Sequence, residues 1–363
     1  MRDYFWSKDE INLKLYNENY KQYVHHVFED EDICLMIIDK DENCTGYIIL
    51  SWIDERMGKA EVYIFIEEEY RRNGYGTSAM EIILQYAFEE RRLHKVQCCT
   101  KAYEIGAADF LYQLGFKLEA ARTERLLYKG NPVTEYYYGM LENEYHNKNR
   151  IKLKGEKCSV EFLKNIPNSN LGEFYGEKFE KFNMSIIKKE NNFWYFNGLK
   201  FRGMTEDDFR INNRIIFDSK VCRFYDDDVK LPGDLDKISD YDRKHLNLQG
   251  DDRISFAIEE GGKYIGCVNL CGIDKENKKF SASIYLCPEG RGKGYGTIAM
   301  NFALTYAFSE YNMHKFIDCV SDGNIASARM MRKIGCKVEG VQREAAFVGG
   351  RYVDTIFFGV TAN

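Results

Sequence analysis

The chain contains itself twice. Displaced by 220 positions, residues 60–140 fall on residues 280–360 without a gap, and the matches are spread along the whole window. Ala79-Met80 recur as Ala299-Met300, Tyr86-Ala87-Phe88 as Tyr306-Ala307-Phe308, and His94-Lys95 as His314-Lys315. Gly115, Glu119, Gly130 and Gly139 return as Gly335, Glu339, Gly350 and Gly359, and the register reaches back to Gly46 and Gly266. A match of this length is a duplicated domain rather than a short-period solenoid. Any fold assigned to one half must therefore be buildable by the other, and 363 residues give each half enough chain for its own core.

Within the repeat the most informative stretch is glycine-rich. Arg71-Arg72-Asn73-Gly74-Tyr75-Gly76-Thr77 is matched by Arg291-Gly292-Lys293-Gly294-Tyr295-Gly296-Thr297. Each stretch follows an apolar run and opens a run of helical period, 77–90 and 297–310. Glycine at a strand-to-helix turn lets the backbone approach a ligand closely. The helix that follows offers unpaired N–H groups and the positive end of its dipole. Together they form an anion site, most simply for a phosphate.

Around this turn both copies read as mixed α/β. In the first, strands are expected at 33–38, 46–53 and 61–66, and the helix after the turn carries Met80, Ile83, Leu84, Ala87 and Phe88 as one apolar stripe. A strand over 94–100, a shorter helix ending at Gly115 and two strands hinged at 129–131 complete the plan. The second copy repeats it with strands at 254–259, 264–272, 282–286 and 315–320, a helix from Thr297, a helix over 325–334 and a pair around Gly349-Gly350. The fold expected is two tandem domains, each a mixed, mostly antiparallel sheet flanked by helices. Their bounds are set at 1–145 and 197–363, with a connector over 146–196. First strands at Leu13-Lys14 and Phe201-Arg202 leave the second copy about thirty residues longer just after its first strand. That extra stretch holds Asp226-Asp227-Asp228, which reads either as attraction for a cationic partner or as a solvated acidic loop.

Composition narrows the function classes. A net charge of −6 gives no basic face for nucleic acid, and 44% hydrophobic content argues for a folded protein. The eleven cysteines include no CxxC pair and no zinc-ligand spacing, so they read as reduced core residues of a cytoplasmic protein without a metal. No run reaches the roughly 18 apolar residues of a membrane span, and the first residues carry no signal core.

The pattern Arg-x-x-Gly-x-Gly after a strand and before a helix resembles the GNAT superfamily of acyl-CoA-dependent N-acyltransferases. The second copy is the nearer match, through residues 286–296, Asn324-Ile325-Ala326-Ser327, Lys333-Ile334-Gly335 and Gly350-Arg351-Tyr352-Val353-Asp354. These resemble the branch holding ribosomal-protein and spermidine acetyltransferases. The resemblance implies transfer of an acetyl group from acetyl-CoA to an amine of a small molecule or peptide N-terminus, a cationic amine being favoured if the acidic cluster faces it. It implies cofactor contacts at Leu286, Cys287, Arg291, Gly292, Lys293, Gly294, Tyr295, Gly296 and Thr297, with an oxyanion donor near Leu286. Arg71, Arg72, Asn73, Gly74, Tyr75, Gly76 and Thr77 would hold the same ligand in the first copy. Asn324 and Ser327 are the implied catalytic pair, Ser327 near the CoA sulfur, although Asn324 equally fits a helix N-cap. The family's usual tyrosine acid is replaced by Met331, with Leu111 in the first copy and Tyr112 one position off. Asp354 is a candidate base or a structural acceptor.

The first copy departs from the pattern, with Glu104 and Ala107 in place of the Asn and Ser and no insertion to wall an acceptor. The expectation is one active domain, the second, beside a degenerate first. The chain is expected to act as a monomer with an internal pseudo-dimer or as a homodimer. Two other readings remain: a non-catalytic acyl-CoA sensor, and a dinucleotide enzyme through the formal Gly-x-Gly-x-x-Ala match. In the second reading the fingerprint belongs on a first strand, which this one does not follow.

Overall fold

The computed structural model describes residues 6–8, 11–15, 32–148, 187–190, 193–216 and 253–362. The chain divides into two compact units. Unit 1 comprises Met1–Ala121, Glu135–Asn165 and Gln342–Phe347, and unit 2 comprises Arg122–Thr134, Ile166–Val341 and Val348–Asn363. Each is mixed α/β.

Unit 1 is built on strands β1 (Trp6–Lys8), β2 (Ile11–Leu15), β3 (Ile33–Asp39), β4 (Cys44–Asp54) and β5 (Lys59–Ile66), each antiparallel to the next. Helix α1 (Tyr75–Gln85) then carries the chain to β6 (Lys95–Lys101), which lies parallel to β5. After α2 (Ala107–Leu114) come β7 (Lys117–Tyr128) and β8 (Asn131–Leu141), of which the hairpin end Arg122–Thr134 belongs to unit 2; β8 pairs with β6 and is followed by the short helix α3 (Glu142–Lys148). The hinge between β7 and β8 is made by Lys129 and Gly130, both at positive φ. The expected stripe of α1 is buried: Met80, Ile83, Leu84, Ala87 and Phe88 pack on Leu35, Ile37, Ile48 and Val62 of the sheet. One difference is local. The last turn over Tyr86–Glu90 is a π-turn, closed by Arg91 N on Tyr86 O at 2.9 Å.

Unit 2 repeats the plan. Two strands in the stretch read as a connector, β9 (Lys188–Glu190) and β10 (Phe193–Phe196), join β11 (Leu199–Gly203), so the sheet starts before the repeat does. Helix α4 (Glu206–Ile216) follows, then β12 (Arg253–Glu260), β13 (Lys263–Asp274), β14 (Lys279–Leu286), α5 (Tyr295–Glu310), β15 (Lys315–Ser321), α6 (Ile325–Lys333), β16 (Lys337–Val348) and β17 (Arg351–Thr361). Leu13 faces Ile37 as Phe201 faces Ile258, which makes β2 and β11 the equivalent first strands expected from the sequence. The core lies between one sheet face and helices α5 and α6, with Phe201 stacked on Phe302 at 3.8 Å.

The repeated charged residues and glycines prove to be interior. Lys95 is fully buried and donates to Glu119 at 2.7 Å, and Arg343 Nε reaches the second Glu119 oxygen at 3.0 Å. A Cβ on Gly139 would stand 2.6 Å from that carboxylate, so the glycine makes the room the ion pair occupies. Unit 2 has the same device: Lys315 to Glu339 at 2.5 Å, Thr123 Oγ1 to Glu339 at 3.0 Å, and Gly359 with 2.6 Å of room. Charges this deep are tolerated only as satisfied pairs.

Candidate functional site

The site in unit 2 begins where two parallel strands part. β14 pairs with β15 only at Lys279↔Lys315 and Phe280↔Phe316, while β17 pairs with the other edge of β15 all the way from Lys315 to Ser321. Beyond Phe280 one edge of β14 is therefore without that ladder partner. Which groups point there follows from alternation. Cys287 N donates to Ile265 O on β13 at 2.9 Å, so the main-chain groups of Leu286, Ile284 and Ala282 face the opposite, parted edge. Arg291 Nε accordingly reaches the Leu286 carbonyl on that side, at 3.0 Å. The Leu286 N–H shares that direction.

The turn after β14 ends in a helix N-terminus. Gly294 caps α5 at φ 84° and Gly292 sits at φ 75°, both in the left-handed region where other residues are strained. A Cβ on either would meet nothing within 4 Å, so the loop stands open above them. The helix begins at Tyr295, two residues earlier than its periodicity suggested, which puts Tyr295, Gly296 and Thr297 in its first turn. Their N–H groups are among those a helix leaves unpaired. Lys293 lies 4.0 Å from Glu260, and Tyr295 donates its hydroxyl to Glu260. That acidic neighbour reaches the turn from 35 residues earlier in the chain. Cys287 is buried, and burial raises its thiol above the usual range, so it serves as packing.

Helix α6 closes the site from one side. Asn324 caps it, its Oδ1 accepting from Ser327 N at 3.2 Å, so the structural reading of this residue is met directly. Met330 Sδ stands 3.5 Å from the position of a Gly296 Cβ, beside Leu286 and Ile284. Ser327 is three residues before Met330 and four before the buried Met331, hence on the same side of the helix. Asp354 lies just past Thr355, the last β17 residue in register with β15, and its carbonyl accepts from Asp322 N.

The other sheet face is polar. Asn269 donates to Ser283 at 3.1 Å, and Asn212 of α4 donates to Cys267 at 2.9 Å. Tyr264 donates to Asn212 at 2.6 Å. Helix α4 is anchored by Thr205 and Asp208, which exchange hydrogen bonds as a capping box, and by Arg202, which grips Asp208 at 2.6 and 3.1 Å. This is the wall after the first strand. The Asp226–Asp228 cluster falls outside the described residues.

Unit 1 has the same turn on a different floor. Gly74 caps α1 at φ 84°, Arg71 Nε reaches Ile66 O at 2.9 Å, and β5 pairs with β6 only through Glu61↔Gln97. Arg72 takes the left-handed conformation of Gly292 at φ 67°, with Asn73 donating to Tyr70 O. Tyr75, Gly76 and Thr77 form the first helical turn. The opposite face, however, is apolar: Tyr47, Ile49, Tyr63 and Phe65 stand where unit 2 has Cys267, Asn269, Ser283 and Tyr285, and they pack with Cys34, Met36 and Ile38. Helix α2 starts two residues later than α6, on Gly106 without a side-chain cap, while Glu104 turns back onto Lys101.

Among the described residues no group of three or more His, Cys, Asp or Glu side chains is placed to hold a metal ion, and no helix is long and apolar enough to cross a membrane. The nine described cysteines are free.

Comparison with known proteins locates this architecture. The family model described as acetyltransferase (GNAT) domain matches residues 2–117 and 199–337. The spermidine N(1)-acetyltransferase of Escherichia coli K12 is 28% identical over 158 residues, 44% of this chain and 83% of that protein. That of Vibrio cholerae is 31% identical over 121 residues, 33% and 69% of the two chains. A putative ribosomal N-acetyltransferase of Bacillus subtilis is 28% identical over 123 residues, 34% and 66%. Among solved structures, the Vibrio cholerae spermidine N-acetyltransferase in complex with CoA and spermine has 23% identity and a TM-score of 0.42, over 46% of this chain and 96% of that one.

Proposed function

Because this chain belongs to the GNAT acetyltransferase family and is an N-acetyltransferase, we propose that unit 2 is its catalyst and takes acetyl-CoA as donor. The residues fit that group. The open loop at Gly292 and Gly294 and the N–H groups of the first α5 turn cradle a pyrophosphate, and Lys293 adds charge. The parted edge of β14 from Ala282 to Leu286 supplies main-chain partners for an extended amide-bearing arm. The Leu286 N–H, aimed into the same gap, stabilises oxyanion character on a thioester carbonyl held there. Arg291 fixes the strand end by its bond to Leu286 O, which makes it a positioning residue as much as a phosphate contact. Ser327 presents its hydroxyl from α6 toward this gap, and Asn324 orders the turn that carries it. Most of the rate then comes from orientation of an amine against an activated acyl group.

The acceptor enters from the α4 face. We assign it as an amine, with a polyamine such as spermidine and a ribosomal acceptor the classes supported by the names of the relatives. The observation that carries the assignment of the catalyst is the contrast of the two floors: Asn269, Ser283 and Asn212 line one, while Ile49, Tyr63 and Tyr47 fill the other. Unit 1, with an equivalent turn and an apolar floor among the described residues, fits the second reading, a site that binds the thioester without transferring it. Thiol release from acetyl-CoA, followed across a panel of polyamines, aminoglycosides and peptides, tests the proposal. Turnover with at least one amine is expected. Binding of acetyl-CoA with no thiol release on any of them would leave both units as sensors.

A further inference from the structure

The α4 side of the unit 2 sheet carries a hydrogen-bonding set that acetyl transfer does not by itself require. Three antiparallel strands lay it out. Ser255 of β12 stands opposite Asn269 of β13, which stands opposite Ser283 of β14, and the neighbouring row aligns Arg253, Cys271 and Ser281. Alternation sets these rows on the face away from Ile254, Phe256 and Val268 of the core. Asn269 is 1% exposed, whereas Cys271, Ser281 and Ser283 beside it are half-buried. In unit 1 the register puts Ile49 and Tyr63 where Asn269 and Ser283 stand.

A side-chain amide this deep ordinarily satisfies both of its ends. The Asn269 nitrogen donates to Ser283 Oγ at 3.1 Å and lies 3.8 Å from Cys267 Sγ. Its carbonyl oxygen accepts no hydrogen bond from the described residues. Turning the amide over gives Ser283 to the oxygen and leaves the nitrogen unmatched, so one end is open either way. The Ser283 hydroxyl has Cys271 Sγ, 3.8 Å away, as the neighbour for its own hydrogen, and a thiol sulfur is a weak acceptor. Tyr264, Asn212 and Cys267 are bonded among themselves and form the wall beside this pair. One group that both donates and accepts completes Asn269 and Ser283 together, and a hydroxyl is such a group.

Charge points the same way. The carboxylates that α4 and β12 bring to this face, Asp208 and Glu259, are held by Arg202 at 2.6 and 2.5 Å, and Lys200 takes the second Glu259 oxygen at 3.1 Å. Burial raises the Cys267 and Cys271 thiols, and the positive charge of Arg253 at the end of the row draws against it. Among the described residues this floor offers no uncommitted carboxylate to a second ammonium group. Asn269 and Ser283 lie three residues, about 10 Å, short of Leu286 along β14, so they meet the body of an acceptor and not its reacting nitrogen.

We propose that the acceptor of unit 2 is a monoamine whose carbon skeleton carries a hydroxyl, an amino sugar or amino alcohol, with that hydroxyl donating to Asn269 and accepting from Ser283. The assignment rests on the reading of unit 2 as the catalyst. Asn269 and Ser283 set specificity and take no part in the acyl or proton transfer. A polyamine laid over them would bury the Asn269 amide with one end unmatched and bring a second positive charge to a floor that has none to pair it.

The full chain is assayed with glucosamine, with cyclohexylamine, which has a ring and an amine but no hydroxyl, and with spermidine. Wild type should favour glucosamine over both by at least about tenfold in kcat/KM, since a site built to bond a hydroxyl rejects the analogue lacking it. Ser283→Ala should raise the glucosamine KM about 3–10-fold, the loss of one neutral hydrogen bond, and Asn269→Leu should remove most of the preference over cyclohexylamine. Such a shift on mutation is independent of the difference in basicity between the two amines. The KM for acetyl-CoA should stay at its wild-type value, which also shows that the variants fold. Ser283→Ala, at a half-buried position, carries the test if Asn269→Leu does not fold. Preference for spermidine or cyclohexylamine in wild type, or a preference and a glucosamine KM untouched in Ser283→Ala, overturns the proposal and leaves unit 2 as the catalyst. Calorimetry of glucosamine on the CoA-saturated protein separates the two readings. Binding that Ser283→Ala weakens, without thiol release from acetyl-CoA, removes the catalyst and keeps this recognition; absence of both binding and turnover with glucosamine overturns it.

Discussion

Replacing Asp318 by Asn should make the protein more stable at pH 8.5 and leave it unchanged at pH 4. Unfolded, the carboxyl titrates near its ordinary 3.8; folded, it is raised to about 7. A raised carboxyl binds its proton more tightly in the native state. Its stabilising contribution is therefore complete below 3.8 and is lost as pH climbs through 7. The shift is about three units at about 1.4 kcal/mol each, an upper bound of about 4 kcal/mol. Asp318 retains solvent contact, and screening brings the expected cost of the ionised form to about 2 kcal/mol. Denaturant unfolding of wild type and Asp318→Asn at pH 4, 6, 7 and 8.5 reads this directly. The difference between them should grow with pH and level off above 7.5. A constant difference, or one that shrinks with rising pH, refutes burial of this carboxyl as the source of its shift.

Other substitutions test the frame. Gly359→Ala drives a methyl against Glu339 in its buried pair with Lys315 and should cost about 1–3 kcal/mol in chemical denaturation; no loss would mean that the carboxylate can move aside. Asn324→Ala removes the cap of α6 and should cost about 0.5–2 kcal/mol. If its activity falls with kcat and acetyl-CoA affinity together, the cap acts by placing Ser327; a fall in activity with unchanged stability would give Asn324 a direct contact instead. Residues 1–145 expressed alone lack Arg343, which donates to Glu119 and Glu144 within unit 1. That fragment should melt well below the full chain by circular dichroism, and equal melting would show that the segment Gln342–Phe347 is dispensable.

The parts of this protein legible in its sequence were the local ones. The 220-residue repeat, the glycines at the turn and the apolar stripe of α1 each follow from short-range rules, and the chain places them as those rules require. So does Asn324, whose side chain and helix are neighbours in sequence. What stayed hidden depends on partners far apart. Lys95 and Glu119 look like surface charges until folding buries them beneath Gly139. Glu260 reaches Tyr295 from the hairpin between β12 and β13, across 35 residues. The contrast between Asn269 and Ile49 was visible residue by residue, but its meaning required knowing which sheet face each occupies. Asp318 did leave a trace: in Lys315-Phe316-Ile317-Asp318-Cys319-Val320 an acid falls in phase with the buried Phe and Val, a break in pattern that merits a functional question.

Two similar turns serve different ends, and one experiment separates them. Acetyl transfer and acetyl-CoA affinity should be measured in Arg291→Ala/Gly294→Ala and in Arg71→Ala/Gly74→Ala. The first pair should abolish transfer, and the second should leave it within a few fold of wild type while removing only the binding that unit 1 contributes. Transfer that survives the first pair and disappears in the second would contradict the account and move the catalyst to unit 1.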